Sequence, residues 1–202
     1  MAKLKEIPLV QIVDIHRGTA IPPESIKSRT TTERTGIQYL SVSNIQENYV
    51  NENLPYFTKI EDREYKYCLK ENDIVLAKMG FPKFAIVKNL QDRKVIASQN
   101  LYILRCNENI SPLYLKAFLE SEEGAKRLDS AYVKSSIYTL PVKNLEKILI
   151  PILENSEENK IFQKSFSKEY SKLEKKEEKI RTSLENAKNE RIGLLKTLLS
   201  FQ

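Results

Sequence analysis

The sequence predicts an α+β fold: a globular domain of mixed short strands and helices over residues 1–155, then one long helix over residues 156–202. Three observations carry this. Short alternating apolar runs, separated by Gly, Pro and Asn, recur through the first 150 residues. Near Ser111 a proline-capped stripe at helical spacing interrupts them. From Glu157 a seven-residue apolar repeat replaces both.

Taken in order, residues 9–18 (LVQIVDIHRG) fit a strand or short helix ending at Gly18. Residues 19–36 (TAIPPESIKSRTTTERTG) show no periodicity and predict a long exposed loop. Residues 37–45 (IQYLSVSNI) alternate as a strand does. Residues 71–80 and 83–90 (ENDIVLAKMG, KFAIVKNL) are β-rich runs divided by Gly80 and Pro82, the pattern of a hairpin. Residues 94–106 (KVIASQNLYILRC) continue as strand. In residues 111–131, Ser111 can cap, Pro112 suits the first helical position, and Leu115, Phe118 and Leu119 share a face. Residues 145–153 (LEKILIPIL) form a strand that Pro151 confines to an edge.

The terminal repeat runs Phe166, Tyr170, Leu173, Ile180, Leu184, Ala187, Leu194 and Leu198, in alternating steps of four and three. Glu177 and Arg191 fill the two positions that are not apolar. Such a seam is that of a coiled coil, and at 1.5 Å per residue the rod is about 65 Å long. A narrow stripe of that length outruns the globular part. The chain offers no second helix to match it, so the seam calls for another molecule, either a second copy or a different subunit.

The chain has 202 residues and a formal charge of +6, divided evenly as +3 before Glu157 and +3 from it onward. A basic balance favours a polyanionic partner without specifying a fold. Five glycines and no tryptophan argue against a Gly-rich nucleotide fold. Cys68 and Cys106 stand alone without CxxC spacing, which speaks against zinc and for a reducing, cytoplasmic setting. No stretch has the length of a membrane span.

Catalytic signatures are sparse. His16 is the only histidine, and no nucleophile elbow, P-loop or metal-ligand spacing accompanies it. Glu64-Tyr65-Lys66 matches the acidic-x-Lys element of Mg²⁺-dependent nucleases, but no partner aspartate opens an apolar strand before it. The expectation is a chain with no catalytic residue, metal or cofactor of its own.

Several segments together resemble one family, the DNA-specificity subunits of type I restriction–modification systems. IPLVQIVDIHRGTAIP resembles that family's opening strand and Gly-Thr turn, and TGIQYLSVSNI its G-x-x-aromatic-aliphatic segment. ENDIVLAKMGFPKFAIVK resembles its hairpin, with Glu71-Asn72 in place of the usual glycine, and ISPLYLKAFLES the helix that follows. SSIYTLPVKNLEKILIPILENSEENKIF resembles the closing strand and the entry to the long helix. The likeness covers essentially the whole chain, through order and spacing rather than any single motif.

The resemblance implies a half-size subunit with one target-recognition domain and one helix, where family members carry two of each. It implies that two copies pair through antiparallel helices, read a split, inverted-repeat site in double-stranded DNA, and dock methyltransferase subunits. Those subunits carry S-adenosylmethionine, and the resemblance leaves open whether a restriction subunit joins. The rival readings are a protein-binding coiled-coil adaptor and a small nuclease built on Glu64 and Lys66.

Phosphates are held by Lys, Arg, Ser and Thr, and base edges are read by Asn, Gln and Arg. The candidates at polar turns are Arg17 and Thr19; Ser41, Ser43 and Asn44; Lys78 and Lys83; Gln99 and Asn100; and Lys134, Ser135, Ser136 and Tyr138. Lys27, Arg29 and Arg34 in the Thr-rich segment add backbone contacts.

Overall fold

A computed structural model describes residues 3–46, 49–50 and 53–199. Its strands are β1 (Leu4–Pro8), β2 (Val13–Arg17), β3 (Thr30–Thr31), β4 (Ile37–Leu40), β5 (Ile45–Gln46), β6 (Tyr49–Val50), β7 (Tyr56–Phe57), β8 (Ile74–Ala77), β9 (Phe84–Ile86), β10 (Lys94–Ala97), β11 (Leu101–Cys106) and β12 (Leu149–Leu153). Its α-helices are α1 (Pro23–Arg29), α2 (Pro112–Glu120), α3 (Glu122–Ala131), α4 (Val142–Leu145) and α5 (Ser156–Leu199).

The centre is an antiparallel sheet in the order β2-β11-β8-β9. Strands β8 and β9 and the first four residues of β11 are apolar without interruption because both faces are covered, which erases the alternation expected of a half-buried sheet. The edge strand β2 is mostly exposed. Ile74, Leu76, Tyr102 and Leu104 point to one side, where Leu115 and Leu119 of α2 and Leu128 of α3 complete a core. Val75, Leu101 and Ile103 point to the other, against Leu40, Val95 and Ala97 of a second sheet ordered β10-β4-β7-β3. In that sheet β10 and β4 run parallel. Its outer face carries Tyr39, Phe57 and Ile96, covered by Ile21 and by Ile26 of α1.

Three expectations are corrected. Residues 19–36 are not one exposed loop: Pro23 opens α1, and Thr30–Thr31 pairs with Tyr56–Phe57. Residues 94–106 are two strands in different sheets, separated by a turn at Gln99-Asn100. The helix over 111–131 breaks at Ser121, whose hydroxyl accepts the Gly124 N–H at 3.1 Å and starts α3. The β8–β9 hairpin and the edge strand β12 form as the sequence indicates.

Strand β12 pairs only with β1 among the described residues, and α5 follows directly. The Asn155 carbonyl group of the side chain accepts from the backbones of Glu157 and Glu158, at 3.0 and 3.1 Å, and caps the helix. The first turns of α5 lie on the domain. Gln163 Oε1 accepts from Ser111 N at 2.6 Å, and the hydroxyls of Ser111 and Ser167 meet at 2.7 Å. The Tyr114 ring stands edge-on to Phe162 and Phe166, with centroids 6.0 and 5.6 Å away. Glu174 closes the contact with ion pairs to Lys88 (2.6 Å) and Lys116 (3.0 Å). Burial alone would raise the Glu174 pKa, but the two ammonium groups outweigh it and hold the carboxyl below its ordinary range.

Candidate nucleic-acid interface

One edge of the central sheet gathers most of the predicted turns. Arg17 lies opposite Tyr102, Leu101 opposite Ala77, and Leu76 opposite Phe84. The chain therefore leaves β2 and β8, and enters β9 and β11, at the same edge. In the second sheet Leu40 lies opposite Ala97, and Ser98 N donates to Leu40 O at 2.9 Å, so Ser41 emerges there too.

Backbone hydrogen bonds lock these turns together. Lys78 N donates to Asn100 O at 2.7 Å, Gly80 N to Tyr138 O at 2.9 Å, and Leu140 N to Lys78 O at 2.9 Å. Beneath them the buried Tyr102 hydroxyl donates to Leu140 O at 2.9 Å, and Tyr132 Oη donates to Ala77 O. Burial raises the pKa of both phenols, so they stay protonated donors. At the first turn Gly18 N donates to Leu101 O at 3.1 Å, and a Cβ on Gly18 would sit 2.0 Å from Ser98 O. Only glycine allows the two turns to approach this closely.

Residues 17–19, 41–44, 78–83, 98–100 and 134–138 carry Arg17, Lys78, Lys83 and Lys134 and no Asp or Glu. Arg17, Lys83, Gln99 and Asn100 are exposed and Lys78 is half-buried. Lys134 is exposed but pairs with Asp129 of α3. Ser135 and Ser136 are exposed beside it, and the half-buried Tyr138 ring packs on Phe81 with centroids 5.4 Å apart.

Other candidates lie differently. Thr19 is buried, its N–H bonded to Ala97 O at 2.9 Å, because the chain here enters the cleft between sheets. Arg29 is buried in a bidentate pair with Glu64, at 2.7 and 3.0 Å. Neither side chain can face a duplex. Ser41 and Asn44 close a capping box, Asn44 Oδ1 accepting from the Ser41 backbone at 2.9 Å and its hydroxyl at 2.7 Å. The Ser43 hydroxyl, in an exposed residue, meets that of Ser41 at 2.8 Å. The exposed Lys27 is on α1, at the outer face of the second sheet. Arg34 is exposed before Gly36, whose carbonyl accepts from Lys94 N at the opposite end of β4 from Ser41.

The sequence reading missed the apolar members of this edge. Met79, Phe81, Val133 and Ile137 are exposed there, Phe81 at 73%. Phe81 sits between Gly80 and Pro82, the residues that marked the turn.

The Glu64–Lys66 element is not laid out as a metal site. Glu64 is 2% exposed, both its oxygens are engaged by Arg29, and Oε2 also accepts from Glu61 N at 3.0 Å. The Lys66 ammonium lies over the Tyr67 ring, 5.1 Å from its centroid. Among the described residues no cluster of three or more His, Cys, Asp or Glu has the arrangement of a metal site. Burial pushes the Cys106 thiol up to about 12, so it stays protonated.

No protein-family model matches the sequence, and no curated protein matches it. Solved structures do. The type I restriction–modification S subunit from M. genitalium is 15% identical, with a TM-score of 0.55 over 86% of this chain and 41% of its own. A chain from a study of complex assembly and conformational transition of the type I R-M system is 13% identical, with a TM-score of 0.58 over 91% of this chain and 43% of its own.

The fold is that of a type I specificity subunit. The chain spans about two fifths of the length of those two chains. The chain is also similar to part of the type IIG restriction endonuclease BpuSI, at 13% identity and a TM-score of 0.57, over 82% of this chain and 26% of that one.

In this specificity-subunit fold the long helix divides into two parts. Phe166 and Tyr170, the first two seam residues, are half-buried against the domain. Their rings stack with centroids 5.6 Å apart, and Tyr170 Oη bonds Glu120. Both therefore serve contacts within the chain, a correction to the seam expected of them. From Leu173 onward the seam is open: Leu173 is 65% exposed, Ile180 60%, Leu184 54% and Leu194 69%. At 100° per residue, Leu173, Ile180 and Leu184 fall within about 40° of arc. Glu174, which touches the domain, lies about 100° round from Leu173. Leu173, Ile180 and Leu184 are thus exposed in the single chain and lie to one side of the contact that Glu174 makes with the domain. Ala187 is exposed in the same line, and the side chain of Leu198 lies outside the described residues.

Proposed function

We propose that the chain is a non-catalytic DNA sequence-recognition subunit of a type I restriction–modification system. Its open seam pairs with a second copy, so that two recognition domains read the two halves of an inverted-repeat site. The assembly positions methyltransferase subunits, which supply S-adenosylmethionine. The observation that carries this reading is the sheet edge described above: four cations, two exposed amides and no carboxylate on interlocked turns of a specificity-subunit fold.

Phosphate contacts fall to Arg17, Lys78 and Lys83, with Ser43, Lys134, Ser135 and Ser136 at the margins. Base edges fall to Gln99 and Asn100, whose side chains are exposed at the turn between β10 and β11. Such contacts set register through the backbone and sequence through the amides.

Binding of labelled duplex DNA across a salt series tests the proposal. Affinity should fall steeply as salt rises, because phosphate neutralisation releases counterions. Lys83→Ala should weaken binding to all sequences alike and shallow the salt slope by about one. Asn100→Ala should relax preference at one base pair by about 1–3 kcal/mol. Salt-independent or absent binding would instead fit a protein-binding adaptor.

A further inference from the structure

An exposed phenylalanine in a basic neighbourhood calls for its own account. Phe81 is 73% exposed, the highest of any large hydrophobic side chain among the described residues of the domain. The turn that presents it is held rather than loose. Gly80 takes a φ of +84°, a conformation that glycine adopts without strain, and Pro82 fixes the backbone on the other side. The Ala77 N–H closes the turn onto Lys83 O at 2.8 Å, while Lys78 and Gly80 tie it to the neighbouring turns on both flanks. Behind Phe81 the Tyr138 ring packs at 5.4 Å with the planes tilted by 56°. Ile137, 55% exposed, extends the apolar tip beside it.

Charge says what such a tip meets. Lys78 and Lys83 flank Phe81, three residues before it and two after, and no carboxylate lies in the five turns of this edge. Resting on the DNA-recognition reading, we infer that Phe81, backed by Tyr138, inserts between two base pairs of the bound duplex and unstacks them. The lysines draw in the phosphates on either side, and the fixed turn delivers the ring without ordering cost at the moment of binding. A rigid apolar wedge between base steps opens the stack and bends the duplex, and the contacts around it offset the unstacking. The wedge adds a preference for easily unstacked pyrimidine–purine steps that no hydrogen bond reads.

The test uses the full chain and duplexes that it retains from a randomised 30-bp pool, remade with 2-aminopurine at each position in turn. The wild type should raise 2-aminopurine fluorescence severalfold at one step, where stacking quenches it in free DNA. Phe81→Ala should return that signal to the free-duplex level and weaken binding about tenfold or more, with the salt slope unchanged. Phe81→Leu should keep part of the signal. Circular dichroism checks that each variant is folded.

Binding with 2-aminopurine quenched at every position would overturn insertion and leave the DNA reading standing. Full affinity and full signal in Phe81→Ala would overturn it as well. So would a variant that binds DNA normally but loses a methyltransferase subunit, which would give the tip to a protein partner. A wild type that retains no duplex would sink the recognition reading along with the wedge.

Discussion

Glu64→Gln lowers the unfolding free energy by about 3–5 kcal/mol, read as a shift of the denaturation midpoint at constant slope. Glu64 and Arg29 are 2% and 6% exposed, and two hydrogen bonds of 2.7 and 3.0 Å join them. Removing the carboxylate charge strands a guanidinium between α1 and the turn at residues 61–64. Replacing both, as Arg29→Met with Glu64→Leu, restores most of the stability, because the pair's attraction and its desolvation nearly cancel. The same pair sets an acid limit. Burial alone would raise the Glu64 pKa, but Arg29 and the Glu61 N–H hold it below the ordinary 4.5. A depressed folded-state pKa contributes stability that is complete above 4.5 and is lost as pH falls through the folded value. In Glu64→Gln that part of the acid dependence disappears. An unchanged midpoint would mean that the pair does not hold α1 in place.

Leu173→Glu combined with Leu184→Glu abolishes pairing at micromolar concentration while the domain's melting temperature holds. Both side chains are more than half exposed in the single chain, so charging them costs the isolated fold little. In a two-fold pair each substitution acts twice. Four lost leucines at about 1.5–3 kcal/mol each remove about 6–12 kcal/mol, comparable to the whole of a micromolar association. Sedimentation distinguishes monomer from dimer, and differential scanning reports the domain. Phe166→Glu should behave in the opposite way, lowering the melting temperature, because that ring packs on Tyr114 and Tyr170. A double variant that still sediments as the wild type does would place the interface on another face of α5.

What the sequence made legible was local. The Gly80–Pro82 hairpin and the Pro112 helix start are patterns within ten or so residues, the terminal repeat is one pattern recurring every seven, and the hairpin, the helix start and the long helix are all present. What it hid depends on residues far apart in the chain. Nothing around Arg29 reveals Glu64 thirty-five positions later, so a buried ion pair looked like a surface cation. Thr19 looked like any hydroxyl at a turn, but its neighbour Gly18 lets the chain approach Ser98 and carries it inside. α1 lay concealed because Ile26 is its one apolar core contact, too few to show a period. Residues 94–106 concealed a change of sheet because both halves are buried on both faces and equally apolar. Phe81 carries no sequence signal of its place, because an apolar residue at a turn looks like core and its exposure is a property of the fold alone.

The recognition claim is tested most directly by sequencing the duplexes that the purified chain retains from a randomised pool. The expected result is one short motif, recovered as two inverted copies at a fixed spacing, with Leu173→Glu plus Leu184→Glu losing the spacing constraint. Retained DNA with no enriched motif, or no retention above that of an uncharged control protein at low salt, would contradict it.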